Sequence, residues 1–238
     1  MKRCLYCFEK LLTRPAINEV FKRPTQTSFC NTCYQRIAYI TAKETACRRC
    51  QEKLTTAGIC QKCLFWEQAF QVTMTQQALY YYNDFAVDFL WRIKKKRDVA
   101  LMRGVYPDVK RFFRSHYNLA KTLFLPLPTD EISLQTRRFN LPALLLHELN
   151  IGLHTANVFP LLTEKKVKQN SLMRNERMRN ASQMYAISDE GATIIQQKRW
   201  QEIVLIDDVY TTGSTMMRGI AAVKKKTDTK ISSFTLFR

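Results

Sequence analysis

The spacing of the cysteines is the feature that most restricts what this chain can fold into. All eight lie within the first 63 residues, and they form four C-x-x-C pairs. Two residues between thiolates allow a tight turn to direct both sulfurs at one ion, and two such turns complete a tetrahedron. The sequence therefore predicts two closed Cys4 sites, each holding a structural zinc ion. The predicted ligands are Cys4, Cys7, Cys30, Cys33, Cys47, Cys50, Cys60 and Cys63.

The order of the pairs leaves two ways of sharing these ligands. The simplest joins the first two pairs at one ion and the last two at the other, with residues 51–59 forming a hairpin. An interleaved arrangement has the same spacing and stays open. Disulfides would need an oxidising compartment, and the opening "MKRCLYCFEK" has no apolar export signal. Closed zinc sites fold a segment that is too small for its own core.

The remainder of the chain alternates between strand and helix patterns. This order predicts a doubly wound α/β fold with a mostly parallel sheet, preceded by a small cysteine-rich zinc-binding domain. The expected domains are residues 1–66 and 67–238. The predicted strands are 75–83, 121–130, 156–163, 202–208 and 230–238, and the predicted helices are 84–116, with a break at Pro107, 140–150 and 215–226. Asp84 and Asn140 are predicted N-caps, and residues 164–187 are expected to form a long basic loop with a helical piece.

The stretch "IVLIDDVYTTGST", residues 203–215, is a hydrophobic strand that ends in two carboxylates and turns through Thr and Ser into a helix. The chain lacks the G-x-x-x-x-G-K-[ST] motif of nucleotide hydrolases and the G-x-G-x-x-G motif of dinucleotide sites. A flavin mononucleotide site can use a similar phosphate loop, but it gains nothing from two adjacent carboxylates. A ribose 5-phosphate explains both halves of the motif.

Each half of that motif suits one part of the sugar phosphate. Asp207 and Asp208 can accept hydrogen bonds from the 2′- and 3′-hydroxyls. The backbone N–H groups and hydroxyls of the turn can surround the 5′-phosphate, with Gly213 permitting the close turn and the helix adding its positive end. The turn hydroxyls belong to Thr211, Thr212, Ser214 and Thr215. The sequence therefore predicts a phosphoribosyl-binding site.

The charge of the chain indicates a polyanionic partner. Lys and Arg total 38 against 20 Asp and Glu, which gives a formal net charge of +18. No helix-turn-helix is apparent, so we expect single-stranded DNA to bind with little sequence preference. Trp91, Phe112 and Phe113 are stacking candidates if they are exposed. The predicted DNA contacts are Arg92, Lys94, Lys95, Lys96, Arg97, Arg174, Arg177 and Arg179.

The Asp-Asp motif resembles the phosphoribosyl pyrophosphate motif of type I phosphoribosyltransferases. Together with the cysteine pairs, "LPLP" at 125–128, "RRFN" at 137–140, "NERMRN" at 175–180 and the closing "TLFR", it resembles the ComF family, the late competence proteins of DNA-transforming bacteria. The resemblance implies that the loop after "LPLP" lies near pyrophosphate and that "NERMRN" belongs to a mobile lid. The predicted contacts of phosphoribosyl pyrophosphate are Asp207, Asp208, Val209, Tyr210, Thr211, Thr212, Gly213, Ser214, Thr215, Arg137, Arg138 and Arg177.

Two departures from the family pattern occur in one place. The family commonly has Gly at the second position of "RRFN" and Gln after it, where this chain has Arg138 and Leu141. Arg138 would add charge near the site or restrict the loop, so the contacts of this segment are expected to differ in detail from the family's.

Two functions follow from these expectations. One is a cytoplasmic competence protein for DNA uptake that binds single-stranded DNA and, with Mg²⁺, phosphoribosyl pyrophosphate, alongside other DNA-uptake proteins. The other is a phosphoribosyltransferase that transfers the 5-phosphoribosyl group to an unidentified acceptor and releases pyrophosphate, with Asp207 and Asp208 as the catalytic residues that stabilise positive charge on the ribose. No stretch of the sequence is long and apolar enough to predict a membrane span.

Overall fold

The computed structural model of the chain describes residues 2–11, 28–40, 45–129, 131–148, 162–164 and 185–238. Its strands are β1 (Gln76–Tyr80), β2 (Thr122–Pro126), β3 (Leu162–Glu164), β4 (Tyr185–Ile187), β5 (Glu202–Val209) and β6 (Lys230–Phe237). Its α-helices are α1 (Asn31–Gln35), α2 (Gln61–Phe70), α3 (Asp84–Lys96), α4 (Tyr106–His116), α5 (Glu131–Arg137), α6 (Leu141–Glu148), α7 (Asp189–Ile195) and α8 (Ser214–Lys224). A 3₁₀ helix over Val99–Gly104 separates α3 from α4.

The main sheet has four strands in the order β1-β6-β5-β2, and every neighbouring pair is parallel. The strands β3 and β4 form a separate antiparallel pair. Residues 203–206 of β5 are fully buried, because their side chains alternate between hydrophobic cores on the two faces of the sheet. The predicted α/β fold with a mostly parallel sheet is confirmed. The predicted strand 156–163 and loop 164–187 lie largely outside the described residues.

The helix boundaries follow local capping chemistry. The helix α3 is capped by Asn83, whose Oδ1 accepts a hydrogen bond from the Ala86 amide at 3.1 Å, so the prediction of Asp84 as the cap was wrong by one residue. Asp84 instead lies in the first turn, where its charge suits the helix dipole. The predicted cap at Asn140 is confirmed, since its Oδ1 accepts from the Ala143 amide at 3.0 Å.

The cysteine-bearing segment packs into both cores of the sheet. Phe29 inserts against Gly104 so closely that an added Cβ at Gly104 would lie 2.0 Å from its ring. Trp66 and the last four cysteines belong to the core on the other face of the sheet. The expected domain boundary between residues 66 and 67 lies inside α2. The cysteine-bearing segment therefore gains much of its apolar burial from the α/β part of the chain.

A buried carboxylate strengthens this junction. The hydroxyls of Tyr34, Tyr39 and Tyr80 donate to the same Oδ2 atom of Asp108 at 2.5, 2.5 and 3.0 Å. Burial, with the neighbouring carboxylate, raises the pKa of all three tyrosines, so each keeps the proton that it donates. These bonds join the segment after the first cysteine pairs to β1 and α4. None of the helices in the described part of the chain has both the length and the hydrophobicity needed to cross a bilayer.

Candidate functional site

The eight cysteines form two groups of four, each with all sulfurs within 4.8 Å of one another. The first group contains the first two pairs and the second group contains the last two, so the simpler of the two pairings is correct. The S···S distances are 3.6 Å between Cys7 and Cys30, 3.7 Å between Cys50 and Cys60 and 3.9 Å between Cys47 and Cys63. Tetrahedral zinc with Zn–S bonds of about 2.3 Å needs sulfurs about 3.8 Å apart. The two groups therefore fit two structural metal sites.

The two groups are built by a repeated knuckle that sequence reasoning missed. The stretches "CLYCFEKL" at 4–11 and "CRRCQEKL" at 47–54 share C-x-x-C-x-E-K-L. The same backbone hydrogen bond closes both stretches. The Cys4 N–H donates to the Glu9 carbonyl and the Cys47 N–H donates to the Glu52 carbonyl, each at 2.8 Å. The residue after the second cysteine has a positive φ in both copies, +65° at Phe8 and +61° at Gln51. The shared letters were a sufficient signal for this repeat.

Backbone amides and one arginine stabilise the sulfurs. The amide of Cys30 lies 3.2 Å from the sulfur of Cys4, and that of Cys60 lies 3.3 Å from the sulfur of Cys47. In the second group, Arg238 Nη2 donates to the sulfur of Cys50 at 3.3 Å. Such contacts favour the thiolate form that binds metal.

The two carboxylates lie at the carboxyl end of β5, the edge at which parallel sheets bind ligands. Burial, and then the charge of Asp208, raises the pKa of Asp207 to about 7. Asp208 forms an ion pair with Lys94 of α3, with Nζ 2.7 Å from Oδ2. Lys94 and Arg137 both oppose the rise in the Asp207 pKa, so both place positive charge beside it. The Asp-Asp pair therefore lies beside two cations, Lys94 and Arg137. Of these, only Arg137 was predicted at this site from the sequence, whereas Lys94 was predicted to bind DNA.

Residues 211–215, which we call the phosphate loop, lead from β5 into α8. A small cavity is lined by Asp207 and by residues 209–216, so the structure brings together most of the residues predicted to contact phosphoribosyl pyrophosphate. Gly213 has a φ of +82° at the N-cap of α8, a backbone conformation that only glycine adopts easily. The first N–H groups of α8 have no acceptor within the helix. The loop therefore has the geometry of an anion site at a helix N-terminus.

The Tyr210 side chain lies beneath the phosphate loop. It is 3% exposed, and its hydroxyl bonds to no group in the part of the chain that the structure describes. Burial raises the pKa of Tyr210, and the guanidinium of Arg238 lies 4.9 Å from the centre of its ring. The predicted contact at Tyr210 thus coincides with a buried ring that supports the loop from below.

The predicted pyrophosphate segment is folded against the Asp-Asp site. Arg137 Nη2 donates to Thr129 Oγ1 at 2.7 Å, which joins "RRFN" to the loop after "LPLP". Asn140 Nδ2 donates to the Leu127 carbonyl at 2.7 Å and closes the same segment. Arg138 has a φ of +62° immediately after α5. This conformation explains why glycine suits the second position of "RRFN", and it makes Arg138 a strained substitute there.

The predicted DNA contacts that the structure describes divide between three places. Lys94 lies at the Asp-Asp site, so its charge cannot be reversed without disturbing that site. Lys95, Lys96 and Arg97 are exposed, while Arg92 bonds to the Tyr6 carbonyl at 2.8 Å. Arg174, Arg177 and Arg179 lie outside the described residues. The structure thus leaves the end of α3 as the exposed part of this group.

The aromatic candidates differ in exposure. Trp91 is 49% exposed, and Lys96 Nζ lies 5.1 Å from the centre of its ring. Phe113 is fully buried, so it does not meet the condition of exposure on which stacking depended. Phe112 is half-buried and stacks on His116, with ring centres 4.0 Å apart. Trp91 alone among the three candidates combines an exposed ring with neighbouring cations.

Together these features define a class of molecule. It is an α/β protein whose parallel sheet ends in an Asp-Asp pair and a helix-capping phosphate loop, joined to two Cys4 metal-binding groups. Competence protein ComFC of Bacillus subtilis is 25% identical over 239 residues, which cover 99% of this chain and 94% of that protein. Competence protein ComFC of Streptococcus pneumoniae is 26% identical over 242 residues, which cover 99% and 100%. No family model matches the chain. The chain is therefore similar over nearly its whole length to two competence proteins from different bacteria.

Proposed function

We propose that this chain is a cytoplasmic competence protein that binds phosphoribosyl pyrophosphate with Mg²⁺ and binds single-stranded DNA, together with other DNA-uptake proteins. The observation that carries the first part is the juxtaposition of Asp207 with the N-terminus of α8 across one small cavity, with Asp208 next to Asp207 at the end of β5. Asp207 and Asp208 would accept hydrogen bonds from the ribose diol. The N–H groups of the phosphate loop would bind the 5′-phosphate. Mg²⁺ would neutralise the pyrophosphate through the ligand's own oxygens.

Calorimetric titration with phosphoribosyl pyrophosphate and Mg²⁺ tests this site. Asp207→Ala combined with Asp208→Ala is expected to weaken binding by a few kcal/mol, since each charge-assisted hydrogen bond contributes about 1.5–3 kcal/mol. Asp228→Ala is the matched control, because this exposed carboxylate pairs with Lys224 at the far end of α8. Equal affinity in the double variant and the wild type would refute the assigned role.

The DNA proposal is supported by the exposed end of α3. Trp91 presents a ring for stacking, and Lys95, Lys96 and Arg97 beside it can track the phosphates of a flexible strand. Each neutralised phosphate releases counterion, so the logarithm of affinity should fall with the logarithm of salt by about 0.7 per contact.

Fluorescence anisotropy with a labelled oligonucleotide tests the DNA proposal. Lys95→Glu with Lys96→Glu should lower affinity, and Lys94 is left unchanged because it pairs with Asp208. The control is Lys198→Glu with Lys225→Glu, which makes the same charge change at exposed positions on the other face of the sheet. Absence of binding at low salt would end this part of the proposal.

The second candidate function is transfer of the phosphoribosyl group to an unidentified acceptor with release of pyrophosphate. The raised pKa of Asp207 favours it, because groups with displaced pKa values in clefts are often catalytic. Its carboxylate would stabilise positive charge that develops on the ribose ring. Release of pyrophosphate in the presence of amine, base or amino-acid acceptors would support transfer, and its absence with all of them would favour binding alone.

A further inference from the structure

We infer that the second Cys4 group positions the phosphate loop, so that metal occupancy at this group controls anion affinity. This inference rests on the proposed phosphoribosyl site and adds a regulatory connection to it. Three consecutive carbonyls, those of Tyr210, Thr211 and Thr212, accept hydrogen bonds from side chains that are anchored beside the second Cys4 group. The two side chains responsible are Arg238 and Trp66.

Arg238 joins the loop to the sulfurs through one guanidinium. Its Nη1 lies 3.3 Å from the Tyr210 carbonyl and 3.5 Å from the Thr211 carbonyl. Its Nε donates to the Cys50 carbonyl at 2.7 Å, and its Nη2 lies 3.3 Å from the Cys50 sulfur. The side chain is only 9% exposed, and it also pairs with Glu52 at 3.2 Å. A planar fork of this kind fixes direction as well as distance, which a lysine would not do.

Trp66 supplies the contact to the third carbonyl, that of Thr212. It lies on α2, the helix whose N-terminal end contains Cys60 and Cys63. Cys60 is the N-cap of α2, Cys63 lies in its first turn, and Trp66 follows one turn later. Its Nε1 donates to the Thr212 carbonyl at 2.8 Å. Since the first turn of α2 supplies two of the four sulfurs, the position of the indole depends on how that turn is held. The Trp66 ring is 7% exposed and packs within the same core as the four sulfurs.

The direction of these three carbonyls decides where the following amides point. In a planar trans peptide the C=O and the next N–H point in opposite directions. Carbonyls 210, 211 and 212 are directed toward the side chains that the second Cys4 segment anchors, so amides 211, 212 and 213 are directed away from them. The cavity lined by residues 209–216 requires such amides to bind an anion. Zinc at the second group would thus preorganise the anion site without touching the ligand.

The first Cys4 group provides the internal comparison. It also has a nearby arginine, Arg92, but that guanidinium bonds to the Tyr6 carbonyl and to Asp98. Tyr6 in turn donates to Asp88 of α3 at 2.5 Å. Over the described residues, these contacts lead to α3 and none reaches a backbone carbonyl of the phosphate loop. The two metal groups are therefore expected to differ in their effect on the loop.

Two measurements on the zinc-loaded chain test the inference. The first is hydrogen–deuterium exchange of residues 210–217, and the second is calorimetry with inorganic pyrophosphate and with phosphoribosyl pyrophosphate. Cys50→Ser with Cys63→Ser should increase exchange in the loop and reduce affinity for both ligands at least tenfold. Cys7→Ser with Cys30→Ser, at the first group, should leave exchange of the loop unchanged. Zinc content measured with a colorimetric chelator should fall by about one ion per chain in each double variant, which confirms that the altered group has been emptied.

Two conservative variants keep the test decisive if the cysteine variants fail to fold. Trp66→Phe retains an aromatic ring but loses the bond to Thr212, and it should weaken anion binding by about two- to tenfold, the net value of one hydrogen bond. Its control is Trp200→Phe, because Trp200 is equally buried and donates to the Ile194 carbonyl at 2.7 Å. Arg238→Lys retains charge but loses the fork, and Arg48→Lys is its exposed control in the same knuckle.

The outcomes separate this inference from the proposed function. If the zinc-loaded wild type binds neither ligand, the proposed site is wrong, while the exchange experiment still decides whether the second group controls the loop. Unchanged exchange in the second-group, Trp66 and Arg238 variants would overturn the inference, as would an equal increase when the first group is emptied. Increased exchange confined to the second-group variants would support it.

Discussion

Replacing Gly213 by alanine should damage both the stability of the chain and its anion site. Two structural quantities set the size of the effect. The φ of +82° costs a residue with a Cβ about 1–2 kcal/mol, because left-handed backbone brings that atom close to a carbonyl. The new Cβ would also lie 2.2 Å from the Tyr210 hydroxyl oxygen and 2.7 Å from Cζ, where overpacking adds about 1–3 kcal/mol. We expect a total loss of about 2–5 kcal/mol in the free energy of unfolding.

A second substitution identifies the atom responsible. Tyr210→Phe removes the oxygen at 2.2 Å but leaves Cζ at 2.7 Å, so it should restore about half of the overpacking loss in the Gly213→Ala background. Alone, Tyr210→Phe should be neutral or stabilising by about 1 kcal/mol, because it removes a buried hydroxyl that has no partner in the described structure. The backbone part of the loss should remain.

Urea unfolding followed by circular dichroism measures these free energies, and calorimetry with phosphoribosyl pyrophosphate measures the loss of the anion site. Gly58→Ala is the matched control, since nothing lies within 4 Å of its added Cβ. It should change stability by less than about 0.5 kcal/mol. Strictly additive effects of Gly213→Ala and Tyr210→Phe would refute the proposed contact, because residues in contact must show a coupling energy.

Three further predictions concern single groups, and all are measured as free energies of unfolding. Asp207 holds its proton more tightly in the folded chain, so its contribution to stability should be lost as pH rises from about 4 to about 7. The free energy of unfolding of Asp207→Asn should therefore exceed that of the wild type at about pH 8 and match it at about pH 4. Arg138→Gly should stabilise the chain by about 0.5–1 kcal/mol, because it relieves the positive φ. Asp108→Asn should destabilise it by about 2–4 kcal/mol, because three tyrosine hydroxyls lose a charged acceptor.

Controls exist for each of these changes. A pH profile of Asp207→Asn that parallels the wild type would contradict the assignment of the titration. Arg114→Gly, in the last turn of α4, should lose stability where Arg138→Gly gains it. Asp98→Asn removes a carboxylate that is 32% exposed and should cost under about 1 kcal/mol. A similarly small loss of unfolding free energy in Asp108→Asn would show that the tyrosine hydrogen bonds contribute little to the junction between the cysteine-bearing segment and the sheet.

Local patterns in the sequence were sufficient for the mostly parallel sheet, the C-x-x-C pairs and the Asp-Asp turn, while the grouping of the four pairs came from the structure. The short apolar run before Asp207 indicates a buried strand, and four C-x-x-C pairs within 63 residues favour shared metal ions. The position of a helix cap was less certain, because Asn83 and Asp84 are both good caps and only the backbone decides between them.

Contacts between distant parts of the chain could not be predicted in this way. The bond from Trp66 to Thr212 spans 146 residues, and that from Arg238 to Cys50 spans 188. Lys94 was placed with Lys95 and Lys96 among the predicted DNA contacts because all three are basic. The orientation of α3 instead directs the Lys94 side chain to Asp208. These pairings depend on where the sheet brings its helices together, and no periodicity in a single sequence encodes that.

The strand order has a consequence for folding during synthesis. The strand β6 lies between β1 and β5, so the four-stranded sheet cannot close until residues 230–237 have left the ribosome. The eight cysteines are made much earlier, and each group of four can capture metal while the sheet is still incomplete. The apolar surfaces around Phe29 and Trp66 then remain exposed to solvent until the sheet that covers them has formed. In a cell, this interval is when the chain is most open to chaperones and to aggregation.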